Sequence, residues 1–335
     1  MRGHVAAHRR PVSARGADGR RALPATRRDL GSTSASATAA AGRSRDQHPA
    51  LGRGLAASRP RLNLRHGCSP RRRDYVAAVE IFGVVNASPD SKADFSVVAG
   101  CVEAAARGTE LLAEGADHFD LGGEGSTPGS DEVSPGDEWQ RVEGPLRGLL
   151  SLGAEVAIDT RKAEVARRAL DAGATVLNAG DALQSPEMIE LAAECEVTVV
   201  LPFMLGRDFR SVRDVRGDPV TVMVEWFASR IERLRQAGVT QRLLLDCGVG
   251  FGPHDMDWPE RAAYQRAIYG GLGELRRFDL PLYVPVPWLQ TPDRLELLDL
   301  ALSQEPDYVR AHRPAQVREH AAAIRAASAE IVSSD

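Results

Sequence analysis

Lysine is almost missing from this chain: of 335 residues only Lys92 and Lys162 are lysines, against 40 arginines. Chemistry that needs a lysine amine therefore has two candidates at most. Aromatic residues make up 5%, and none precedes Tyr75. The four cysteines, Cys68, Cys101, Cys195 and Cys247, stand far apart. No C-x-x-C pair points to zinc or thiol redox chemistry, and no disulfide framework emerges; free thiols in a reducing, cytoplasmic compartment are expected. No run of about 18 apolar residues occurs, so no segment is a candidate for a membrane-spanning helix. What remains is ordinary for a globular protein, with 43% hydrophobic and 26% charged residues.

The formal net charge of −4 conceals two unlike regions. Residues 1–73 carry 17 arginines and three acids, Asp18, Asp29 and Asp46, a net of +14 that leaves −18 for the rest. This stretch is rich in Ala, Arg, Ser, Gly and Pro and lacks apolar periodicity. It cannot bury enough apolar surface to offset its ordering entropy, so a disordered extension is expected. A basic tail, an organellar transit peptide and an over-extended reading frame on a GC-rich gene stay open for it. The last fits the arginine-for-lysine bias; because Met188 is the first methionine after Met1, an internal start would use a valine or leucine codon. The acidic body, residues 74–335, is not expected to bind nucleic acid through its own field.

From residue 76 short apolar runs alternate with helical segments, the mark of parallel β-α-β construction. Strands are expected over Val76–Asn86, Ala116–Leu121, Glu155–Asp159, Thr175–Asn178, Val197–Phe203, Leu243–Asp246, Leu282–Val286 and Tyr308–Arg310. Helices are expected over Val102–Glu114, Gly136–Leu150, Lys162–Ala172, Pro186–Ala193, Val220–Ala237, Arg261–Leu275 and Ala315–Ala327, with Gly173 and Gly238 as stops. Eight units in about 260 residues suit an α/β TIM (β/α)8 barrel, with a doubly wound sheet as the alternative. Asn86, Asp120, Asp159, Asn178, Asp246 and Arg310 fall where strands end. Any one could be a local helix cap. Six together point to a site on the C-terminal face of a barrel.

Four segments in register carry a resemblance: G-V-V-N-A-S-P-D-S at Gly83–Ser91, F-D-L-G-G-E at Phe119–Glu124, I-D-T-R-K-A-E-V-A at Ile158–Ala166 and L-D-C-G-V-G-F-G at Leu245–Gly252. They resemble the signatures of the dihydropteroate synthases, pterin-binding TIM barrels of folate biosynthesis. The resemblance runs from residue 78 to about 327. It implies that Asn86 ligates a magnesium ion on the substrate diphosphate. It implies that Asp94 is a mobile first-loop aspartate and that Asp159, Asn178 and Asp246 read the pterin ring beside Phe251. Arg310 and His312 correspond to the pair that holds the anionic leaving group. These residue types suit the chemistry. An aminopyrimidinone edge is rich in N–H donors that carboxylates accept well, and an asparagine both donates and accepts. Diphosphate calls for a cation and an Arg clamp.

The chain also departs from that pattern. Where the family has a Ser-Arg-Lys run after strand seven, this chain has Val286, Pro287, Trp288 and Leu289, so Leu289 stands where the pterin-holding lysine is expected. In the second loop Ser126 takes the threonine position and Thr127 the phosphate-binding arginine position. After His312 come Arg313 and Pro314 rather than an acid and an apolar residue. The expectation is a dihydropteroate synthase-like transferase with weak or altered activity, taking a small pterin substrate and Mg2+. A folate-dependent methyltransferase-type barrel and a non-catalytic pterin-binding paralogue are the alternatives. A glycosidase pair of Glu124 with Asp120 or Asp159 leaves the P-D-S and D-C-G-V-G-F strings unexplained. The family commonly forms dimers through its last helices, and the Ala-rich segment at 315–327 suits such a homodimer.

Overall fold

The structure, a computed structural model, describes residues 79–126, 130–212, 215–251 and 256–333. The extension assigned to residues 1–73, the first residues of the expected strand one, and Thr127 lie outside them. Eight parallel strands close into a barrel in chain order: β1 (Glu80–Asn86), β2 (His118–Gly122), β3 (Val156–Thr160), β4 (Val176–Ala179), β5 (Thr198–Pro202), β6 (Leu243–Asp246), β7 (Leu282–Pro285) and β8 (Tyr308–Ala311). β1 pairs with both β2 and β8, which excludes the open doubly wound sheet.

The side-chain period of two explains the layering. Phe82, Ala157, Val176, Val200, Leu244, Tyr283 and Tyr308 form one buried cluster inside the barrel. Their strand neighbours, among them Ile81, Ile158, Leu177, Val199, Leu245, Val284 and Val309, join the larger cluster between barrel and helices. Two residues beyond the inner cluster, toward the strand C-termini, stand Asp159, Asn178, Asp246 and Arg310. Asp120 lies between Phe119 and Leu121, both in the outer cluster, so its side chain belongs to the interior.

The outer helices are α1 (Cys101–Ala113), α2 (Pro135–Leu150), α3 (Ala163–Ala172), α4 (Pro186–Glu194), α5 (Pro219–Gln236), α6 (Trp258–Gly270), α7 (Pro292–Ser303) and α8 (Pro314–Ser333). Sequence places their starts: Ser134, Ser185, Asp218 and Asp257 each accept a first-turn N–H, with proline just inside the helix. Gly173 and Gly238, at φ 116° and 86°, follow α3 and α5 as expected. Three elements differ. Helix α7 has no counterpart in the expectation, although Thr291-Pro292 opens it as Ser-Pro and Asp-Pro open others. The helix expected to run to Leu275 ends at Gly270 and continues as a 3-10 segment, Leu272–Phe278, because Gly270 and Gly271 weaken the α ladder. The closing helix is longer than its apolar pattern, running to Ser333. Among the described residues no helix is long and apolar enough to cross a membrane.

Candidate active site

Four strand ends meet in one polar network. Arg310 from β8 forks between two acids: its Nε donates to Asp120 Oδ2 on β2, and its Nη2 donates to Asp159 Oδ2 on β3 at 3.0 Å. Asn178 on β4 donates from Nδ2 to the other Asp120 oxygen at 3.1 Å. Asp120 is fully buried, whereas the Asp159 side chain keeps 30% of its surface open toward the mouth. A single guanidinium thus spans two carboxylates over a hydrophobic floor. Burial works against its charge, but Asp120 and Asp159 more than offset this and hold Arg310 above its ordinary range. Asp159 moves the other way: burial and the neighbouring Asp120 raise it, against the pull of Arg310.

Asp246 closes the ring from β6. Its Oδ1 accepts the Gly248 N–H at 2.8 Å. Burial pushes its carboxyl up to about 7, with the Gly248 N–H and Arg310 opposing. Below the acids lies Tyr283, whose buried hydroxyl has no hydrogen-bond partner among the described residues.

The other expected residues divide. Asn86 ends β1 and donates from Nδ2 to Ser96 Oγ at 2.7 Å, which uses one of its two N–H groups and orients the amide, leaving its oxygen as the acceptor. Among the described residues no cluster of three or more His, Cys, Asp or Glu could hold a metal ion. A single amide oxygen could serve only an ion that takes its other ligands from phosphate and water, as magnesium commonly does. His312 sits between rings, 6.1 Å from Trp288 and 6.3 Å from Phe95 between centroids. Burial, then Arg310, Arg107 and Arg313, depress it to about 3, so it is neutral at pH 7. Phe251 packs against the cluster of Ala182, Met204 and Phe209. Asp94 and Ser126 are exposed on their loops, and Asp94 accepts from the N–H of Phe95 at 2.8 Å.

Glu124, weighed as one of a catalytic pair, is committed elsewhere. Arg161 and Lys162 each donate to it at 2.9 Å and Arg210 at 3.2 Å. Burial would raise its carboxyl, but the bonds from Arg161, Lys162 and the Val133 N–H hold it at about 2. Lys162 also donates to Glu138, which is fully buried and accepts from Thr160 at 2.6 Å. Lys162 is therefore a structural cation between two acids.

In the sequence Asp120 stands out as a polar strand end and as a possible partner of Glu124; in the structure it binds Arg310 and Asn178 instead. The signal was its place between Phe119 and Leu121 in a strand of alternating faces. Ser96, which orients Asn86, had no signal beyond a shared loop.

Comparison with known proteins gives the family. The family described as "Pterin binding enzyme" matches residues 82–279, more than half of the chain. That match stops before β7, so Arg310, His312 and Arg313 lie outside it. Dihydropteroate synthase of Escherichia coli (strain K12) is 33% identical over 208 residues, 61% of this chain and 71% of that protein. A probable bifunctional folylpolyglutamate synthase/dihydropteroate synthase of Halobacterium salinarum is 36% identical over 176 residues; these are 51% of this chain but 21% of that longer protein. The crystal structure of Yersinia pestis dihydropteroate synthase with a sulfonamide drug superposes with a TM-score of 0.66 at 28% identity, covering 76% of this chain and 96% of that one. Closed barrel, acid-lined mouth and family match together define a pterin-binding TIM barrel. Within that class, the chain belongs to the dihydropteroate synthase family.

Proposed function

We propose that this chain is a dihydropteroate synthase-type transferase of folate biosynthesis. It would join the methylene of 6-hydroxymethyl-dihydropterin diphosphate to the amine of p-aminobenzoate, releasing diphosphate. One observation carries this: the Asp120–Arg310–Asp159 fork with Asn178 and Asp246, acids poised at a barrel mouth with their charge neutralised from within.

Asp159, Asn178 and Asp246, with Asp120 behind them, take the aminopyrimidinone edge, because ionised carboxylates accept its N–H groups in pairs. When those donors reach Asp159 they replace Arg310 Nη2, and the guanidinium turns toward the diphosphate. His312, neutral at pH 7, contributes a hydrogen bond rather than a charge. Asn86 would hold magnesium, which when bound neutralises charge on the departing diphosphate. The loops bearing Asp94, and Ser126 with Thr127, would cover the reacting atoms, and Phe251 would border the pterin pocket. Catalysis then rests on positioning and on stabilising the leaving anion. Trp288 and Leu289 offer no amine there, so turnover is slower than in a synthase that has one. A cytoplasmic location and a homodimer through α8 complete this reading; the exposed Ala322, Ala323, Ala326 and Ala327 would permit close approach of a second copy.

The test is incubation of the purified chain with the pterin diphosphate, p-aminobenzoate and magnesium, following dihydropteroate. Slow but saturable product formation is expected. Pterin binding without product would make the chain a binding paralogue, and no pterin binding would overturn the reading altogether.

A further inference from the structure

Three guanidinium groups act on His312, and in the ligand-free protein two of them are paired with acids. Arg310 is held by Asp120 and Asp159, and Arg107 by Glu110 and Glu114. Arg313 has no carboxylate within ion-pair distance among the described residues. Its Nε donates to the Trp288 carbonyl at 3.3 Å, and its guanidinium carbon lies 4.5 Å from the centre of the Phe95 ring. Trp288 and Phe95 are themselves in contact, 5.9 Å between ring centres. Glu114 and Glu319 line a cavity of about 450 Å³ that Arg313 also borders, yet neither pairs with it.

These supports come from two loops. Phe95 belongs to the first loop, next to Ser96, which accepts from Asn86 at 2.7 Å. Trp288 belongs to the loop after β7, the segment that carries Leu289 in place of a lysine. A carbonyl and a ring face fix an arginine in direction while leaving its charge unpaired. An unpaired guanidinium so held between the Asn86 loop and His312 is built to receive an anion.

We propose that Arg313 binds the diphosphate of the pterin substrate and supplies the positive charge that Leu289 and Thr127 do not. The proposal rests on the synthase-type reading above and assigns the leaving-group contact within it. It makes Phe95 and Trp288 positioning residues for Arg313. It also predicts that the aromatic wall is a support for charge rather than a simple loss of it.

Calorimetry on the full chain separates these contributions, with three probes in the presence of magnesium: 6-hydroxymethyl-dihydropterin, its diphosphate and inorganic pyrophosphate. In Arg313→Ala, affinity for the diphosphate and for pyrophosphate should fall about 10- to 100-fold, the scale of a charged hydrogen bond. Affinity for the pterin alcohol should stay within about twofold. Arg313→Lys should recover part of the loss, which a merely structural arginine would not show. If the Ala variant loses alcohol binding as well, the Lys variant decides: restored preference for diphosphate over alcohol supports the proposal, and no restoration overturns it. A wild type that binds the alcohol but gains nothing from the diphosphate overturns the proposal and spares the pterin reading. A wild type that binds none of the three overturns both. A raised KM for p-aminobenzoate with unchanged diphosphate affinity would assign Arg313 to the acceptor carboxylate and overturn the proposal.

Discussion

Asp246 ends β6 with 4% of its surface exposed and, among the described residues, one N–H, that of Gly248, on its Oδ1. Its carboxyl is pushed up to about 7, so at higher pH the fold carries a charge it has poorly solvated. Asp246→Asn keeps the shape and an acceptor for Gly248 while removing that charge. We expect the variant to gain about 2 kcal/mol of unfolding free energy at pH 8 by urea denaturation. We also expect it to lose about 100-fold or more in affinity for 6-hydroxymethylpterin, because the charge-assisted bonds are gone. Unchanged affinity would show that the pocket is misassigned. Asp246 was legible in the sequence because it ends an apolar strand and opens a glycine-rich turn. Asp120 was less so: nothing in F-D-L tells which far strand will place an arginine against it.

The turn after β6 shows what an element demands of one residue. Gly248 has φ +64°, and a Cβ there would fall 1.8 Å from the Phe203 carbonyl oxygen. Gly248→Ala must displace the backbone after β5 or the turn itself, so a loss of about 3 kcal/mol or more in stability is expected, with pterin binding lost alongside. A thermal midpoint within a degree of wild type would refute the steric argument. The β2, β3 and β5 loops are joined by charge instead, with Lys162 between Glu124 and the buried Glu138. Lys162→Met leaves Glu138 without its cation, at a cost of about 3–5 kcal/mol. Lys162→Met combined with Glu138→Gln should be far less damaging, because removing both charges avoids an uncompensated one; chemical denaturation of the set checks this. Lys162 and Glu124 stand out in the sequence but Glu138 does not, and nothing local shows that they meet, since Lys162 and Glu138 belong to different helical units.

For the molecule as a whole, the mouth acids set stability and binding against each other in pH. Asp246 and Asp159 have folded pKa values above their unfolded ones. They therefore bind more protons folded than unfolded, and stability falls as pH rises through about 7. His312 is depressed to about 3, so its own effect is a gain in stability as pH rises from 3 to its unfolded value near 6.5, and nothing above that. Above about pH 6.5 His312 adds nothing further, and as Asp246 and Asp159 complete their ionisation between about pH 6.5 and 8 the ligand-free protein should lose thermal stability. Pterin binding uses the ionised acids, so it should strengthen over the same window, and the rise in Tm on adding ligand should grow with pH. A ligand-induced shift that shrinks from pH 6.5 to 8 would mean that the pterin meets protonated acids.

By itself the sequence determined the eight-strand alternation, most helix starts, and the strand-end positions of Asn86, Asp159, Asn178, Asp246 and Arg310, because local periodicity and caps act over a few residues. Only the tertiary structure decided how those positions pair. Closing β8 against β1 is what brings Arg310 across to Asp120 and Asp159, and it is what sets Arg313 on Phe95. A charge partner some 190 residues away in the chain is fixed by barrel register, and no local pattern encodes that distance.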